Sequence, residues 1–215
     1  MSEPISAQRE AVLSNFAVSR ETGERLDILV AELHRWQRIK NLVGPATLSE
    51  VWSRHIADSL QLLPLAPAAQ TWVDLGSGAG FPGLVLGLAG AERGIQVHLV
   101  ESNSRKCAFL RHVARIAAAS VVVHESRIEN AFADLPDHVE VVTARALAPL
   151  RQLLDWAQPL LKTGAIGLFP KGRDFAAELT EAEKFWTFAA DILPSRTDSA
   201  GRIVRISSLR ERSPS

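Results

Sequence analysis

Residues 73–87, "VDLGSGAGFPGLVLG", set a short apolar strand directly ahead of a loop with glycine at Gly76, Gly78, Gly80 and Gly83. Glycines so placed let the chain turn sharply and bring bare backbone against a ligand where a Cβ would collide. Read from Gly76, the loop is Gly-x-Gly-x-Gly behind the acidic Asp74, a spelling that suits a methyl-donor site. Read from Gly78, it is Gly-x-Gly-x-x-Gly, a spelling that suits a dinucleotide. The stretch alone leaves both open, together with a tight strand-to-helix turn that binds nothing.

Downstream of this loop, strands and helices alternate. "IQVHLVE" (95–101) is a strand followed by the helix "SRKCAFLRHVARIAAA", and "SVVVHE" and "VEVVTARAL" are further strands. The helix "PLRQLLDWAQPLLK", the strand "AIGLFPKG" and a helix around "DFAAELTEAEKF" continue the pattern. Such alternation makes a mostly parallel sheet with helices on both faces. The last two strands, "WTFAADILP" and "RIVRISSL", lie too close for a helical crossover, so they pair as an antiparallel hairpin at the sheet edge. That ending of a mostly parallel α/β sheet favours the methyltransferase reading over the dinucleotide one.

Upstream, Leu26, Leu29, Val30, Leu33 and Trp36 recur at helical spacing, and Leu48, Val51, Trp52, Ile56, Leu60 and Leu63 do so again. Thr47-Leu48-Ser49-Glu50 reads as a capping box that starts the second helix. The proline-containing stretch "LLPLAPAAQTW" marks a soft boundary, which places an N-terminal helical extension at 1–66 and the sheet-containing core at 67–215. Trp36 and Trp52 read as core residues.

With 24 Lys plus Arg against 24 Asp plus Glu, no global charge advertises nucleic acid, so any basic surface is local. Cys107 is the only cysteine, and it has no local basic-plus-His arrangement that would mark a nucleophile, so it reads as buried and inert. The polar opening "MSEPISAQRE" and the shortness of every apolar run lead to the expectation of a cytoplasmic protein without disulfide or membrane segment. The six histidines show no metal-ligand spacing.

Ligand-side candidates follow from strand ends. Asp74 ends the first strand, where a carboxylate suits the methionyl amino group of S-adenosylmethionine and would repel a pyrophosphate. Glu101 ends the second strand and can accept hydrogen bonds from both ribose hydroxyls of an adenosine. Ile128 and Glu129 follow the third strand, where an apolar side chain can cover an adenine. Plain structural roles stand beside each: a loop cap, a helix-start acid, an ordinary loop.

The ordered set Lys40-Asn41-Leu42, Arg54-His55-Ile56-Ala57-Asp58-Ser59, "DLGSGAGFPG", Arg145-Ala146 and Lys171-Gly172 closely resembles the bacterial 16S ribosomal RNA guanine-N7 methyltransferases, also called the glucose-inhibited division protein B family. The match runs from about residue 20 to residue 210. It implies the Rossmann-like α/β fold of class I S-adenosylmethionine-dependent methyltransferases and methyl transfer from S-adenosylmethionine to N7 of a guanosine in the 530 loop of 16S ribosomal RNA, with that RNA or the small ribosomal subunit as partner. The family's cofactor positions fall on Gly76, Phe81, Ile128, Glu129 and Arg145, beside Asp74, Gly78 and Glu101 from the residue reading. Phe81 stands where the family often carries leucine. Asn41, Arg54 and His55 map to the family's RNA-approaching positions, and Arg145 and Lys171 join them at ligand-side strand ends. Guanine N7 carries a lone pair and no proton, so Asn41, His55 and Arg145 are expected to position rather than to exchange protons.

Two local basic clusters could meet phosphates or simply be solvated: Arg105, Lys106, Arg111 and Arg115 on one helix, and Arg196, Arg202, Arg205, Arg210 and Arg212 in the tail. The competing readings are a nicotinamide-dependent oxidoreductase built on Gly78, Gly80 and Gly83, and a non-catalytic adenosine sensor or assembly factor.

Overall fold

The computed structural model describes residues 4–38 and 42–212. Lys40 and Asn41 of the first motif therefore lie outside the described residues. Two helices open the chain, α1 (Ile5–Asn15) and α2 (Arg20–Gln37), the latter capped by the Ser19 hydroxyl, which accepts from the Thr22 amide at 3.2 Å.

The expected second amphipathic helix is broken into three pieces: a 3₁₀ segment Pro45–Glu50, a π turn Trp52–Ile56 and α3 (Ala57–Leu60). The capping box does not form, because the Thr47 hydroxyl donates to the Gly44 carbonyl at 2.9 Å. The apolar stripe is still buried, with Val51, Trp52 and Ile56 at most 1% exposed. Periodicity thus identified the buried face and missed the irregular backbone, which brings the Arg54 carbonyl within 3.1 Å of Arg145 Nη1. Irregular helical turns of this kind recur at functional sites.

The rest is a seven-stranded sheet. Its elements are β1 (Thr71–Leu75), α4 (Gly83–Gly90), β2 (Gln96–Glu101), α5 (Ser104–Ile116), β3 (Val121–Glu125) and α6 (Ile128–Ala131). Then follow β4 (Val141–Thr143), α7 (Leu150–Leu161), β5 (Ile166–Lys171), α8 (Phe175–Ala182), β6 (Trp186–Pro194) and β7 (Arg202–Glu211). The order is β3-β2-β1-β4-β5-β7-β6, with β7 antiparallel to both β5 and β6 and the other pairs parallel. The edge hairpin expected from the spacing of the last two strands is present.

Alternation along the strands splits the core. Trp72, Val97 and Leu99 face one side with α2, α4 and α5, where Leu26, Leu33 and Trp52 from before residue 67 share a cluster with Leu84 and Phe109. Val73, Val100 and Phe169 face the other with α7 and α8. Each such fully buried side chain contributes about 1.5–3 kcal/mol. The strand order reverses between β1 and β4, so the crevice outside their carboxyl ends is the place where open α/β sheets take ligands.

Candidate functional site

The glycine loop stands on a buried polar post. Asp74 is fully buried; its Oδ2 accepts from the Gly83 amide at 3.1 Å and its Oδ1 from the Thr143 hydroxyl at 2.9 Å. Gly83 is needed for this approach, because a Cβ there would lie 2.6 Å from Asp74 Oδ2. Burial pushes the Asp74 carboxyl up to about 6, against the lowering effect of its hydrogen bonds. Asp74 consequently does not line the cleft. Its strand-end position leads to the expectation of a contact with a methionyl amino group, direct or through water; in the fold the carboxylate lies beneath the loop and supports it.

Above that post lies a cleft of about 440 Å³, in the range of small-ligand sites, and Gly76, Gly78, Phe81, Glu101, Ile128, Glu129 and Arg145 all line it. Gly78 has φ +57°, and a Cβ built on it would meet only the Gly76 carbonyl at 3.8 Å, so a side chain there would stand in the cleft itself. The Gly78 amide donates to Glu101 Oε2 at 2.9 Å, and the Asn103 amide donates to Oε1 at 2.8 Å. A carboxylate has about four acceptor sites. Glu101 is therefore fixed in place with capacity left for two hydroxyl donors. At the far end Glu129 Oε1 accepts from Trp156 Nε1 at 3.0 Å, and Ile128 lines the same end. A purine nucleoside fits this chemistry: a fixed carboxylate for its ribose, apolar side chains beside it, and open space at Gly78.

At the other end Arg145 organises a second group. Its Nη2 lies 2.7 Å from His55 Nδ1, and its Nη1 donates to Asp58 Oδ2 at 3.2 Å and to the Arg54 carbonyl at 3.1 Å. The Phe81 ring stacks on His55 with centroids 4.8 Å apart, and the guanidinium carbon of Arg145 lies 5.6 Å from the Phe81 ring. Arginine only donates, so His55 Nδ1 accepts and the ring proton sits on Nε2, which faces the Thr47 hydroxyl at 3.0 Å. Burial, then Arg145 and Arg54, lower His55 to about 3. The imidazole is neutral throughout the physiological range.

Asp58, unremarked beyond its motif, is the hub of this group. While Oδ2 holds Arg145, Oδ1 accepts from Gln61 Nε2 at 2.7 Å and from the Thr197 hydroxyl at 2.9 Å. The site is thereby tied to the loop between β6 and β7. Its spacing was a usable signal: Asp58 follows Arg54 by four residues and His55 by three, which puts all three on one side of a helical turn.

A second cavity, of about 480 Å³, adjoins the first across Arg145, Ala146 and Leu147, and Arg54, Asp58 and Lys171 line its far side. Arg54 is open, its side chain 61% exposed with Glu50 3.9 Å away. Lys171 is not: its side chain is 8% exposed, and Nζ donates to Glu178 at 2.7 Å and to the Ala148 carbonyl at 2.8 Å. Lys171, a candidate for RNA at that strand end, is thus engaged with protein groups.

The two basic clusters divide similarly. On α5, Lys106 lines the cleft and Arg111 pairs with Glu125 at 2.7 Å. In the tail, Arg196 reaches the Asn15 carbonyl and lies over Phe16, Arg202 holds the Ser199 and Gly201 carbonyls, and Arg212 holds that of Glu183. Much of the tail's charge is thus used to tether chain segments. Cys107 is buried, donating to the Glu101 carbonyl at 3.2 Å, and burial raises its thiol. Among the described residues no three His, Cys, Asp or Glu side chains form a metal-binding group, and no helix is long and apolar enough to cross a membrane.

Residues 22–200 match the family described as GidB, rRNA small subunit methyltransferase G. The "Ribosomal RNA small subunit methyltransferase G" of Methylorubrum extorquens strain PA1 is 64% identical over 207 residues, 96% of this chain and 98% of the relative. That of Bradyrhizobium sp. strain BTAi1 is 53% identical, over 95% of this chain and 93% of the relative. Among solved structures, MtNAS in complex with MTA and tNA superposes with a TM-score of 0.58 at 16% identity, over 94% of this chain and 74% of that one. A putative caffeoyl-CoA O-methyltransferase from Staphylococcus aureus gives 0.55 at 12% identity, over 83% and 92%. At those identities the likeness concerns the fold alone. The fold and the matches over nearly the whole length agree: the chain belongs to the rRNA small subunit methyltransferase G family.

Proposed function

We propose that the protein transfers a methyl group from S-adenosylmethionine to N7 of a guanosine in the 530 loop of 16S ribosomal RNA, without a general base. The observation that carries this reading is the adjacency of two cavities across Arg145, the first built for a nucleoside and the second open to solvent beside Arg54. Family membership supports the methyl donor and the ribosomal RNA acceptor.

S-adenosylmethionine supplies an electrophilic sulfonium methyl group. With the donor bound, Glu101 would accept from the ribose hydroxyls, Ile128 would cover the adenine, and the loop backbone at Gly76 and Gly78 would leave room for the donor's chain. Asp74 acts indirectly, by holding Gly83 and so the loop. Arg145 lines both cavities, and His55 and Phe81 stack and hydrogen-bond behind it, so the guanidinium is held where it can orient a base in the second cavity. N7 has no proton to lose, and a neutral His55 whose Nδ1 is occupied by Arg145 is ill suited to take one. Alignment is then the main source of rate, for which well-oriented reactions give effective molarities of about 10⁵–10⁸ M. Arg54 approaches the RNA backbone, where Asn41 belongs by its motif.

Purified protein incubated with labelled S-adenosylmethionine and small ribosomal subunits, followed by mapping of the modified nucleoside, tests the reading. One N7-methylguanosine in the 530 loop is expected. Label in another nucleoside refutes the acceptor assignment, and binding without turnover favours an adenosine-binding assembly factor. Binding of NAD in place of S-adenosylhomocysteine refutes the cofactor.

A further inference from the structure

The segment Arg145–Leu150 is the wall between the two cavities, and it is held in a conformation it would not keep unaided. Ala146 has φ +52°, a left-handed conformation for a residue with a Cβ. Such backbone persists only where its surroundings over-determine it. On one side of Ala146 the fixing groups are those of Arg145: Asp58, His55 and the Arg54 carbonyl.

On the other side they are Lys171 and Glu178. Lys171 Nζ donates to the Ala148 carbonyl at 2.8 Å and pairs with Glu178 Oε2 at 2.7 Å. The same Oε2 accepts from the Leu150 amide at 2.7 Å. Leu150 is the first residue of α7, so its N–H has no partner within its own helix and needs an outside acceptor. One ion pair thus fastens two backbone groups of the wall to β5 and α8. Leu147, inside the fastened segment, packs so closely on the glycine loop that a Cβ at Gly76 would lie 2.5 Å from its Cδ1. A shift of the wall is therefore felt in both cavities.

We propose that the Lys171–Glu178 pair is a positioning device for methyl transfer, which fixes the wall between donor and acceptor cavities and makes no contact with RNA. The proposal rests on the methyltransferase reading. Lys171 is a positioning residue: its side chain is 8% exposed, its charge is already paired with Glu178 and a second donor is spent on the Ala148 carbonyl, which leaves a single donor at the edge of the second cavity.

The test compares Lys171→Met, Glu178→Gln and the double variant with the wild type in three measurements. These are the single-turnover rate on saturating small subunits, the salt dependence of binding to a 530-loop RNA fragment, and amide hydrogen exchange. All three variants are expected to lose about tenfold or more in rate, by similar amounts, because the pair acts as one unit. RNA affinity and its salt slope stay at wild-type values, and exchange quickens across 146–150. A phosphate contact gives a different pattern: Lys171→Met flattens the salt slope, and Glu178→Gln, by freeing the cation, tightens RNA binding. That pattern, or a double variant with wild-type rate, overturns the proposal. The double variant leaves no unpaired charge, so it carries the test if a single variant fails to fold. A wild-type protein that methylates nothing removes the reading beneath the proposal; an active wild type with the phosphate-contact pattern removes the proposal alone.

Discussion

The two ends of the site are built by different means. The donor end, from Asp74 to Glu101, is held mainly by hydrogen bonds between groups close in the chain, Gly83 to Asp74 across nine residues and Gly78 to Glu101 across 23, with one longer contact from Thr143 to Asp74 across 69. The acceptor end is held by charged and hydroxyl side chains from distant segments: Arg145 to Asp58 across 87 residues, Thr197 to Asp58 across 139. One end is written largely in a single βαβ unit, with Thr143 of β4 as an outside anchor. The other exists only once the N-terminal segment, β4 and the C-terminal hairpin have come together. Damage to the first should therefore show in cofactor binding, and damage to the second in the rate of transfer.

The largest effect is expected at Gly78. Gly78→Val places a β-branched side chain at φ +57° and in the cleft, so calorimetry should detect no S-adenosylhomocysteine binding. Retained affinity would break the assignment of the donor end. Asp58→Asn, at the other end, should leave cofactor affinity within about twofold while lowering the methylation rate by about 10- to 100-fold, since Arg145 loses its carboxylate partner. Its thermodynamic cost, measured by denaturant unfolding, should be about 1–3 kcal/mol. Equal losses in cofactor affinity would show that the two ends are not separable.

The same contrast explains what could be read from the sequence. The glycine loop, Glu101, the parallel sheet and the edge hairpin follow from local spelling and spacing, and they lie where that spelling puts them. Asp58 was within a recognisable motif, yet its role depends on Arg145, Gln61 and Thr197 converging on it. Glu178, on α8, carried no local signal, because its partners are the amide of Leu150 and the Lys171 ammonium at the end of β5. Asp74 and Lys171 were correctly placed at strand ends, but position along a strand says nothing about whether a side chain is covered. The capping box failed for a related reason: its Thr47 hydroxyl is engaged by Gly44 and His55.

Acid stability offers a subtler way to separate the two ends, because their buried groups respond with opposite sign. His55, lowered from 6.5 to about 3, stays neutral in the fold while the unfolded chain takes up a proton, so its contribution is complete above pH 6.5 and is lost as pH falls toward 3. Asp74, raised from 3.8 to about 6, is protonated in the fold before the unfolded chain is, so stability is gained as pH falls from 6 to 3.8. Each acts with a slope of at most about 1.4 kcal/mol per pH unit. They oppose one another between pH 6 and 3.8. Denaturant unfolding as a function of pH should show His55→Gln more acid-tolerant than wild type, and Asp74→Asn more acid-sensitive in that window. Identical slopes in both variants would show that neither group is buried as described.

The smallest effect concerns RNA. Arg54 is exposed and loosely paired, so Arg54→Ala should reduce the slope of log affinity against log salt by about 0.7–0.9, the share of one phosphate contact. An unchanged slope would make Arg54 a solvated side chain.

The central claim is that the acceptor end aligns its substrate and exchanges no proton with it. The most direct measurement is the single-turnover rate of methyl transfer at saturating substrates between pH 6 and 8, for wild type and His55→Gln. A neutral His55 held by Arg145 should give a profile with no ionisation in that range, and glutamine, which keeps hydrogen bonding without titrating, should retain most of the rate. A bell-shaped profile whose acidic limb disappears in His55→Gln would contradict the claim, since it would make His55 the base.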